Sequence, residues 1–465
     1  MTLRHSCGVV GMYATHDVVP SLCKALSVIQ HRGQESAGIS VFNGNEILTA
    51  KNNGLVSTAL SENATAGIKG KIGLGHVRYS TSGSKEIVNA QPMQVLTTSG
   101  VIAVAHNGEI TNFTKLKNKY METGWSFITN SDSELIAKII AKYLVKSDDP
   151  VEAIKSTMKE LEGAYSLSIM INDRLFGVRD PHGFRPLCIG KFNNAMMIVS
   201  ESAAITTLAG DFVRDVEPGE IVELYAKKIV SYAPEKKSHI SHCVFEWVYF
   251  ARPDSIIDDR EVYDVRKRIG MILAEESPVD ADLVMPIPDS GRAHALGYSI
   301  ASGIQYEEGF MKNRSVGRTF ILPEQSARED AVSLKMNPIK STVNGKKVII
   351  VDDSIVRGTT LTKLVKMLRN AGASEVHARI GCPPVIAPCY YGVDMKTRDQ
   401  LVACKYDVEG IRKLIGTDSL AFISQKGIVK AMDLPENQLC CACVSNRYPT
   451  KIEGETYQYE NNGKS

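Results

Sequence analysis

Residues 348–360 read VIIVDDSIVRGTT, and this stretch indicates how the second half of the chain folds. Its first four residues are apolar and predict a buried strand that ends at Asp352 and Asp353. Beyond the loop, apolar residues recur at helical spacing until Gly372, at Leu361, Leu364, Val365 and Leu368. Residues 376–380 then predict the next strand. Because strand, loop, helix and strand form a βαβ unit, we expect an α/β fold with a parallel sheet.

The end of this strand has the chemistry of a phosphorylated-sugar site. Open α/β sheets bind ligands beyond the carboxyl ends of their strands. There Asp352 and Asp353 can accept hydrogen bonds from ribose hydroxyls or hold Mg²⁺. Residues 354–360 offer N–H groups and hydroxyls at a helix N-terminus, and Gly358 allows close approach of a phosphate. The alternative is an ordinary strand-to-helix turn with a solvated acidic pair. Two adjacent aspartates alone would favour that alternative, but the full string of thirteen residues favours the phosphate site.

The string resembles the signature of the type I phosphoribosyltransferase family, whose fold is a parallel α/β sheet with a mobile hood loop over the pyrophosphate. The resemblance assigns phosphoribosyl pyrophosphate to Asp352, Asp353, Ser354, Arg357, Gly358, Thr359 and Thr360. Residues 286–291 (PIPDSG) resemble the loop that contacts pyrophosphate, which implies that Ser290 joins the two aspartates at Mg²⁺. Residues 311–320 (MKNRSVGRTF) resemble the start of the hood. There Arg318 and Lys335 are candidates to neutralise phosphate, although each can also be a solvated surface charge.

The first half reads as many short strands with two helices, which predicts an α+β sandwich. Cys7 opens the string CGVVGM near the start of the chain. A cysteine that becomes the first residue can use its own α-amino group, with a pKa of about 8, as general base. A cysteine near an N-terminus does not by itself indicate this chemistry.

Four strings change that interpretation of Cys7. In chain order they are HRGQESAG (31–38), GHVRYST (75–81), HNG (106–108) and SDSE (131–134). With Cys7 they resemble the N-terminal-nucleophile (Ntn) glutamine amidotransferase family, in which the cysteine forms a thioester with glutamine. The resemblance assigns the glutamine α-carboxylate to Arg78, its α-amino group to Asp132 and the oxyanion hole to Asn107 and Gly108. It also implies that residues 1–6 are a propeptide removed by self-cleavage. From the residues alone, Asn107-Gly108 could instead be a hairpin turn and Asp132 a helix cap.

The two halves in this order resemble the glutamine phosphoribosylpyrophosphate amidotransferase family. The expected divisions are a propeptide (1–6), an amidotransferase domain (7–235), a phosphoribosyltransferase domain (236–450) and a polar tail (451–465). The implied reaction turns glutamine and phosphoribosyl pyrophosphate into 5-phosphoribosylamine, glutamate and pyrophosphate, the first committed step of purine synthesis, with ammonia passing internally. The resemblance also implies a homotetramer and inhibition by AMP and GMP, with no residues assignable to either.

The cysteines raise the question of a bound metal group. The N-terminus lacks the apolar stretch of a secretory signal, so a cytoplasmic location and reduced thiols are expected. By spacing alone, the Cys-x-x-Cys pair in residues 440–443 favours ordinary buried thiols. One branch of the resembled family, however, carries propeptides and a [4Fe–4S] cluster, with cysteines in contexts that match Cys243, Cys389, Cys440 and Cys443. Cys441 and Cys382 remain possible substitutes, and Zn²⁺ is the less favoured metal.

The net charge and the motifs of both halves argue against several other partners and functions. The net charge of +2 and the lack of a long apolar run give no support for nucleic acid or a membrane as partner. Ntn amidotransferases that make glucosamine phosphate or asparagine would need a different second half. A phosphoribosyl-fold sensor without turnover would have no use for a free N-terminal cysteine beside an oxyanion hole.

Overall fold

Two antiparallel sheets pack face to face in the first half of the chain. The computed structural model describes residues 7–79, 86–234, 238–313 and 336–457. The strands are β1 (Gly8–Ala14), β2 (Ser36–Phe42), β3 (Ile47–Asn53), β4 (Ile72–Arg78), β5 (Met93–Thr97), β6 (Gly100–Ile110), β7 (Gly163–Ile171), β8 (Arg174–Arg179), β9 (Cys188–Phe192), β10 (Ala195–Val199), β11 (Asp211–Asp215), β12 (Ile221–Leu224) and β13 (Ile229–Tyr232). One sheet has the order β11-β9-β10-β1-β4-β2-β3 and the other β13-β12-β8-β7-β6-β5.

Helices cover the outer face of each sheet. They are α1 (Val19–Val28), α2 (Val56–Ala59), α3 (Glu62–Thr65), α4 (Phe113–Glu122), α5 (Asp132–Ser147), α6 (Pro150–Met158) and α7 (Ala203–Thr207), with a 3₁₀ turn at Ile87–Asn89. Alternate strand residues face opposite sides. On β6, Val104 packs with α5 and α6, whereas Ala103 and Ala105 lie in the core between the sheets. On β1, Val10 packs with α1. The predicted α+β Ntn sandwich is confirmed as four layers, helix, sheet, sheet and helix.

The second half is built on a parallel sheet. Its elements are β14 (His242–Cys243), β15 (Ile256–Ile257), β16 (Arg260–Glu261), α8 (Val262–Glu276), β17 (Leu283–Pro286), α9 (Arg292–Ser302), β18 (Phe310–Lys312), β19 (Met336–Pro338), α10 (Lys340–Val343), β20 (Lys347–Asp352), α11 (Thr359–Asn370), β21 (Glu375–Ile380), α12 (Val408–Ile415), β22 (Ser419–Phe422), α13 (Gln425–Met432), β23 (Leu439–Cys440) and α14 (Ala442–Ser445). Short 3₁₀ turns occupy Arg398–Gln400, Val402–Cys404 and Glu436–Gln438, and Glu246–Phe250 is a π-helix.

Strands β17, β20, β21 and β22 pair in that order and all run parallel. Val348 and Ile350 of β20 pack with α11 on one face. Ile349 and Val351 pack on the other face in the cluster that includes residues of α8 and α9. A sheet buried on both faces explains the continuous apolar run of residues 348–351. The predicted type I phosphoribosyltransferase fold is confirmed. Among the described residues, no helix has the length and apolar character needed to cross a bilayer.

A buried ion network lies where the two halves meet. Glu246, on the π-helix, accepts hydrogen bonds from Arg32 Nη2 at 2.8 Å and from Arg185 Nη1 at 3.0 Å. Arg32 Nη1 also donates to Glu201 Oε1 at 2.6 Å. The four side chains are at most 2% exposed. Burial opposes the charge on Arg32, but Glu246 and Glu201 outweigh that effect and raise its pKa.

Glu246→Gln keeps the size of the side chain but leaves Arg185 buried without a carboxylate. Removing one partner of a buried ion pair costs about 3–5 kcal/mol, so we expect the free energy of unfolding to fall by about that amount. Urea unfolding followed by tryptophan fluorescence measures it.

Glu409→Gln is the matched control, because Glu409 is exposed and pairs on the surface with Arg412 and Lys413. Its effect should stay below about 1 kcal/mol. Equal effects of the two substitutions would contradict the structural importance of the buried network.

Candidate active sites and the joint between them

Cys7 lies directly before β1, which pairs with β4 so that Gly8 stands opposite Val77. Its thiol contacts the Tyr79 carbonyl oxygen at 3.5 Å, and Arg32 Nε donates to the Cys7 carbonyl oxygen at 3.0 Å. Desolvation raises the pKa of the thiol, while nearby Arg78 lowers it and Asp132 raises it. The structure thus brings Cys7, Arg78 and Asp132, which are far apart in sequence, within electrostatic reach of each other.

Asn107 and Gly108 lie inside β6, opposite Ser166 and Tyr165 of β7. The hairpin-turn alternative is therefore wrong. Asn107 is fully buried, and among the described residues neither its amide nitrogen nor its amide oxygen has a hydrogen-bond partner. Gly108 has a φ of +149°, and a Cβ there would lie 2.0 Å from the Ala164 carbonyl oxygen. A buried amide without a partner is costly, and such a group is explained when a ligand completes its hydrogen bonds.

Asp132 is the first residue of α5, but the N-cap is Ser131, whose side chain accepts from the Ser133 N–H. Asp132 instead accepts from the Ile110 N–H and contacts His106 Nδ1, both at 3.2 Å. Burial would raise the pKa of Asp132, but His106 and the N–H donors outweigh it and the pKa is lowered. An ionised carboxylate at this position is suited to an ammonium group, and Asp132 also receives a hydrogen bond from the Ser133 N–H in the first turn of its helix.

Sequence reasoning gave no role to the histidines around this carboxylate. His106 is buried, and Asp132 raises its pKa against the effect of burial. His76 Nε2 contacts the His106 carbonyl oxygen at 3.0 Å, and burial lowers the pKa of His76 to about 3. Gln91 Oε1 accepts from the His106 N–H at 2.7 Å. His106 opens the HNG string, so its position in that motif was the available signal.

In the second half, Asp352 ends β20 and Asp353 follows it at the carboxyl edge of the sheet. Burial and the neighbouring Asp353 raise the pKa of Asp352 well above its ordinary value. Burial also raises the pKa of Asp353, opposed by hydrogen bonds from Ser290 and Ser354 and by the charge of Arg266. The structure therefore brings the Ser290 hydroxyl to the acidic pair. Two repelling carboxylates with a hydroxyl form an oxygen donor set that fits Mg²⁺.

The loop after the acidic pair ends at Gly358, the N-cap of α11, and no side chain of the described residues caps the helix. A Cβ at Gly358 would have its nearest neighbour at 3.8 Å, so its φ of +76° rather than local crowding favours glycine. Thr359 and Thr360 form the first turn of the helix. The Arg357 guanidinium contacts Gln400. The N-terminus of a helix twelve residues long attracts a phosphate through its N–H groups and its dipole.

The hood candidates Arg318 and Lys335 lie outside the described residues. The strand that leads toward them, β18, ends at Lys312, whose ammonium contacts Asp289. Asp289 also accepts from Arg292 Nη1 at 3.1 Å, and the peptide bond between Pro288 and Asp289 is cis. The PIPDSG loop thus lies beside β18, next to the acidic pair.

Arg266 is a residue of this region that sequence reasoning did not assign. Its guanidinium is buried and donates to the carbonyl oxygens of Trp247 at 2.7 Å and Ala251 at 2.8 Å. Burial lowers the pKa of Arg266 to about 10, although Asp353 acts in the opposite direction. Arg266 therefore connects the π-helix at the domain joint with the acidic pair.

Four cysteines line one buried cavity, and they are the four that the sequence singled out: Cys243, Cys389, Cys440 and Cys443. Strands β14 and β23 pair in parallel, which places Cys243 opposite Cys440. Apolar and aromatic side chains complete the lining, at Phe184, Phe245, Tyr391, Val393, Met395 and Ala442. Cys441 and Cys382 are not part of this lining.

The four thiols line a cavity and do not converge on one central position. Within the described ranges, no group of three or more His, Cys, Asp or Glu side chains is arranged to hold a single metal ion. Burial raises the pKa of the Cys243 thiol to about 11, and Arg185, whose Nη1 lies 3.9 Å from its sulfur, lowers it. The donor set is therefore sulfur-rich, enclosed and next to a buried positive charge.

Comparison with known proteins agrees with both halves. A glutamine amidotransferase domain model matches residues 76–207, and a phosphoribosyl transferase domain model matches residues 275–383. An amidophosphoribosyltransferase of Methanocaldococcus jannaschii is 50% identical, with 97% of this chain and 98% of that protein covered. One of Archaeoglobus fulgidus is 45% identical, with 97% and 99% covered. The structure of glutamine phosphoribosylpyrophosphate amidotransferase from B. subtilis in complex with ADP and GMP superposes with a TM-score of 0.90, at 40% identity, covering 97% of this chain and 99% of that chain.

Fold and sites define a glutamine amidotransferase joined to a phosphoribosyltransferase. The chain belongs to the amidophosphoribosyltransferase family. Its function is glutamine-dependent amidotransfer to phosphoribosyl pyrophosphate in purine biosynthesis, as the sequence predicted. The sensor without turnover and the other amidotransferases are thereby set aside.

Asn107→Leu tests whether the buried amide serves folding or a ligand. The substitution removes no hydrogen bond to any residue that the structure describes, so the thermal unfolding midpoint of the free protein should stay unchanged or rise. Differential scanning calorimetry measures it.

Asn112→Leu is the matched control, because Asn112 Nδ2 donates to the Glu160 carbonyl oxygen and its Oδ1 accepts from the Glu162 N–H. We expect it to lower stability by about 1–3 kcal/mol. A larger loss for Asn107→Leu than for Asn112→Leu would show that Asn107 is structural.

Proposed function

We propose that Cys7, freed by removal of residues 1–6, is the nucleophile that attacks the amide carbon of glutamine. The observation that carries this proposal is the convergence of Cys7, Arg78 and Asp132 at one end of the sandwich. Since desolvation raises the pKa of the thiol, attack requires a base. The α-amino group of Cys7, which cleavage exposes, supplies this base.

The other residues of this site suit glutamine in its ground and transition states. Arg78 binds the α-carboxylate, for which the guanidinium fork is well matched, and ionised Asp132 binds the α-amino group. Asn107 and the Gly108 N–H donate to the oxyanion that develops on the amide, and each such donor contributes about 3 kcal/mol to the transition state. The unpartnered amide of Asn107 supports this assignment.

The transferase site binds phosphoribosyl pyrophosphate at the carboxyl edge of the parallel sheet. Asp352 and Asp353 hold the ribose hydroxyls and, with Ser290, Mg²⁺; the raised pKa values of the two aspartates support a cation here. Ser354, Arg357, Gly358, Thr359 and Thr360 receive the 5-phosphate, and Arg318 receives the pyrophosphate. Bound Mg²⁺ would supply neutralisation of the leaving pyrophosphate while ammonia attacks the anomeric carbon.

Cys243, Cys389, Cys440 and Cys443 hold a [4Fe–4S] cluster. Their arrangement around a buried cavity supports it. Zn²⁺ bound by the same four thiolates is the less favoured alternative. The lining also favours Cys440 and Cys443 over Cys441 and Cys382.

Further parts of the proposal concern the whole protein. The domains divide at residues 7–235 and 236–450, between the propeptide and the tail of residues 451–465. The enzyme is cytoplasmic and homotetrameric, and AMP and GMP inhibit it; the similar B. subtilis structure is a complex with ADP and GMP. Ammonia passes between the sites inside the protein.

Removal of the propeptide is open to direct observation. Mass spectrometry of the purified enzyme should show Cys7 as the first residue. Cys7→Ala should abolish pyrophosphate release driven by glutamine and retain release driven by added ammonia, because the transferase half keeps its own site.

Cys23→Ala is the matched control, since Cys23 lies on α1 in the packing of the first sheet. It should keep both activities. A mature chain that retains Met1, or loss of both activities in Cys7→Ala, would refute the assignment of Cys7.

The cluster predicts brown anaerobic protein with about four irons per chain. Cys443→Ser should lower the iron content and the visible absorbance, because it removes a ligand. Cys441→Ser is the control in the adjacent position and should retain both. A colourless protein with one zinc, or iron loss in Cys441→Ser alone, would overturn the ligand set.

A further inference from the structure

We infer that residues 389–396 of the transferase half hold the oxyanion strand β6 of the amidotransferase half in its working geometry, with Lys396 as the positioning residue. This inference rests on the proposed roles of Asn107 and Gly108. The 389–396 segment begins at Cys389, and the Cys389 N–H donates to the Met395 carbonyl oxygen at 2.8 Å, which closes it into a tight loop.

The loop contacts β6 at the position that matters for the chemistry. Gly392 has a φ of +98° and packs on the backbone of Gly108; a Cβ on Gly392 would lie 3.0 Å from the Gly108 carbonyl carbon. Backbone against backbone leaves no flexible side chain to absorb a shift. A displacement of the loop would therefore be transmitted to the peptide groups around Gly108.

An ion pair fixes the same contact one residue further along β6. The Lys396 ammonium donates to Glu109 Oε2 across the domain boundary. The two side chains are 28% and 23% exposed, so the pair is only partly screened by water. Glu109 directly follows Gly108, so the pair restrains the strand next to the candidate oxyanion donors.

Two residues of the amidotransferase half, Arg185 and Phe184, hold the middle of the 389–396 segment. Arg185 donates from Nε and Nη2 to the Tyr391 carbonyl oxygen at 3.0 and 2.7 Å. The Tyr391 ring stacks on Phe184 with 4.2 Å between ring centroids. Fixed at Tyr391 and at the Cys389 end, the loop presents Gly392 and Lys396 to β6 as a rigid surface.

A residue that positions oxyanion donors affects the transition state and leaves ground-state binding alone. In Lys396→Met, the kcat of the glutamine-dependent reaction should fall about tenfold, in line with the sensitivity of catalysis to small misplacements. The KM for glutamine should stay unchanged, because Arg78 and Asp132 are untouched. The ammonia-driven rate and the iron content should equal those of the unmodified enzyme.

Two further variants separate positioning from simple loss of stability. Lys396→Arg should keep most of the glutamine-dependent kcat. The exchange Lys396→Glu with Glu109→Lys should restore at least part of what Lys396→Glu alone loses. Lys413→Met, which removes an exposed lysine paired with Glu409 at 3.7 Å, is the matched control and should change nothing.

The inference is overturned if Lys396→Met keeps the full glutamine-dependent kcat, or if it loses the glutamine-driven and ammonia-driven rates in parallel. Asn107→Ala in the same assay identifies which idea fails. If Asn107→Ala keeps full glutamine use, the oxyanion assignment falls and the inference falls with it. If Asn107→Ala loses glutamine use and Lys396→Met does not, the inference alone is wrong.

Discussion

Glu246 lies between two arginines that come from the other half of the chain, and the rest of the structure depends on this buried arrangement. A carboxylate without water is stable only when cations and donors surround it, so Arg32 and Arg185 cannot move apart without a large cost. Arg32 also holds the Cys7 carbonyl oxygen, and Arg185 holds the Tyr391 carbonyl oxygen beside the cysteine cavity. The position of Cys7, the proposed nucleophile, and the shape of the cysteine cavity therefore both depend on the buried charges around Glu246.

The π-helix that carries Glu246 extends this constraint to the second active site. Its Trp247 carbonyl oxygen, and that of Ala251 just after it, accept from Arg266, which acts electrostatically on Asp353. Hydrogen bonds of buried guanidinium groups thus run from Cys7 to the π-helix, and the charge of Arg266 acts from there on Asp353. These buried interactions hold the two active sites at a fixed distance and orientation. A fixed arrangement suits the proposed passage of ammonia from one site to the other.

Local signals in the sequence were sufficient for the parallel sheet and for the acidic pair at its edge. The run of residues 348–353 contains both the strand and its polar end, and the helical spacing after it belongs to α11. The four cysteines of the cavity were also found, but through resemblance, because β14 and β23 lie almost two hundred positions apart and no spacing rule joins them. The hood residues Arg318 and Lys335 stay predictions.

Long-range pairing accounts for what the sequence did not reveal. Asn107-Gly108 has the composition of a turn, yet β6 continues through it because β7 pairs with it from Ile102 to Ile110. Likewise, the partners of Arg32, Arg185 and Arg266 come from distant segments, and a lone arginine in a sequence carries no sign of a buried carboxylate or carbonyl group. Gly358 was predicted to serve close approach, whereas its described surroundings show that the positive φ is the local requirement.

An isotope experiment tests whether the buried network around Glu246 holds the two active sites in a fixed relation. Unmodified enzyme is given phosphoribosyl pyrophosphate and amide-¹⁵N glutamine, with unlabelled ammonium too dilute to drive the reaction alone, and the nitrogen of the trapped 5-phosphoribosylamine is measured by mass spectrometry. If the buried joint holds the two sites together, the product carries undiluted ¹⁵N. Label diluted to the proportion of the surrounding ammonium pool would show that nitrogen leaves the protein between the sites, and would contradict the central claim.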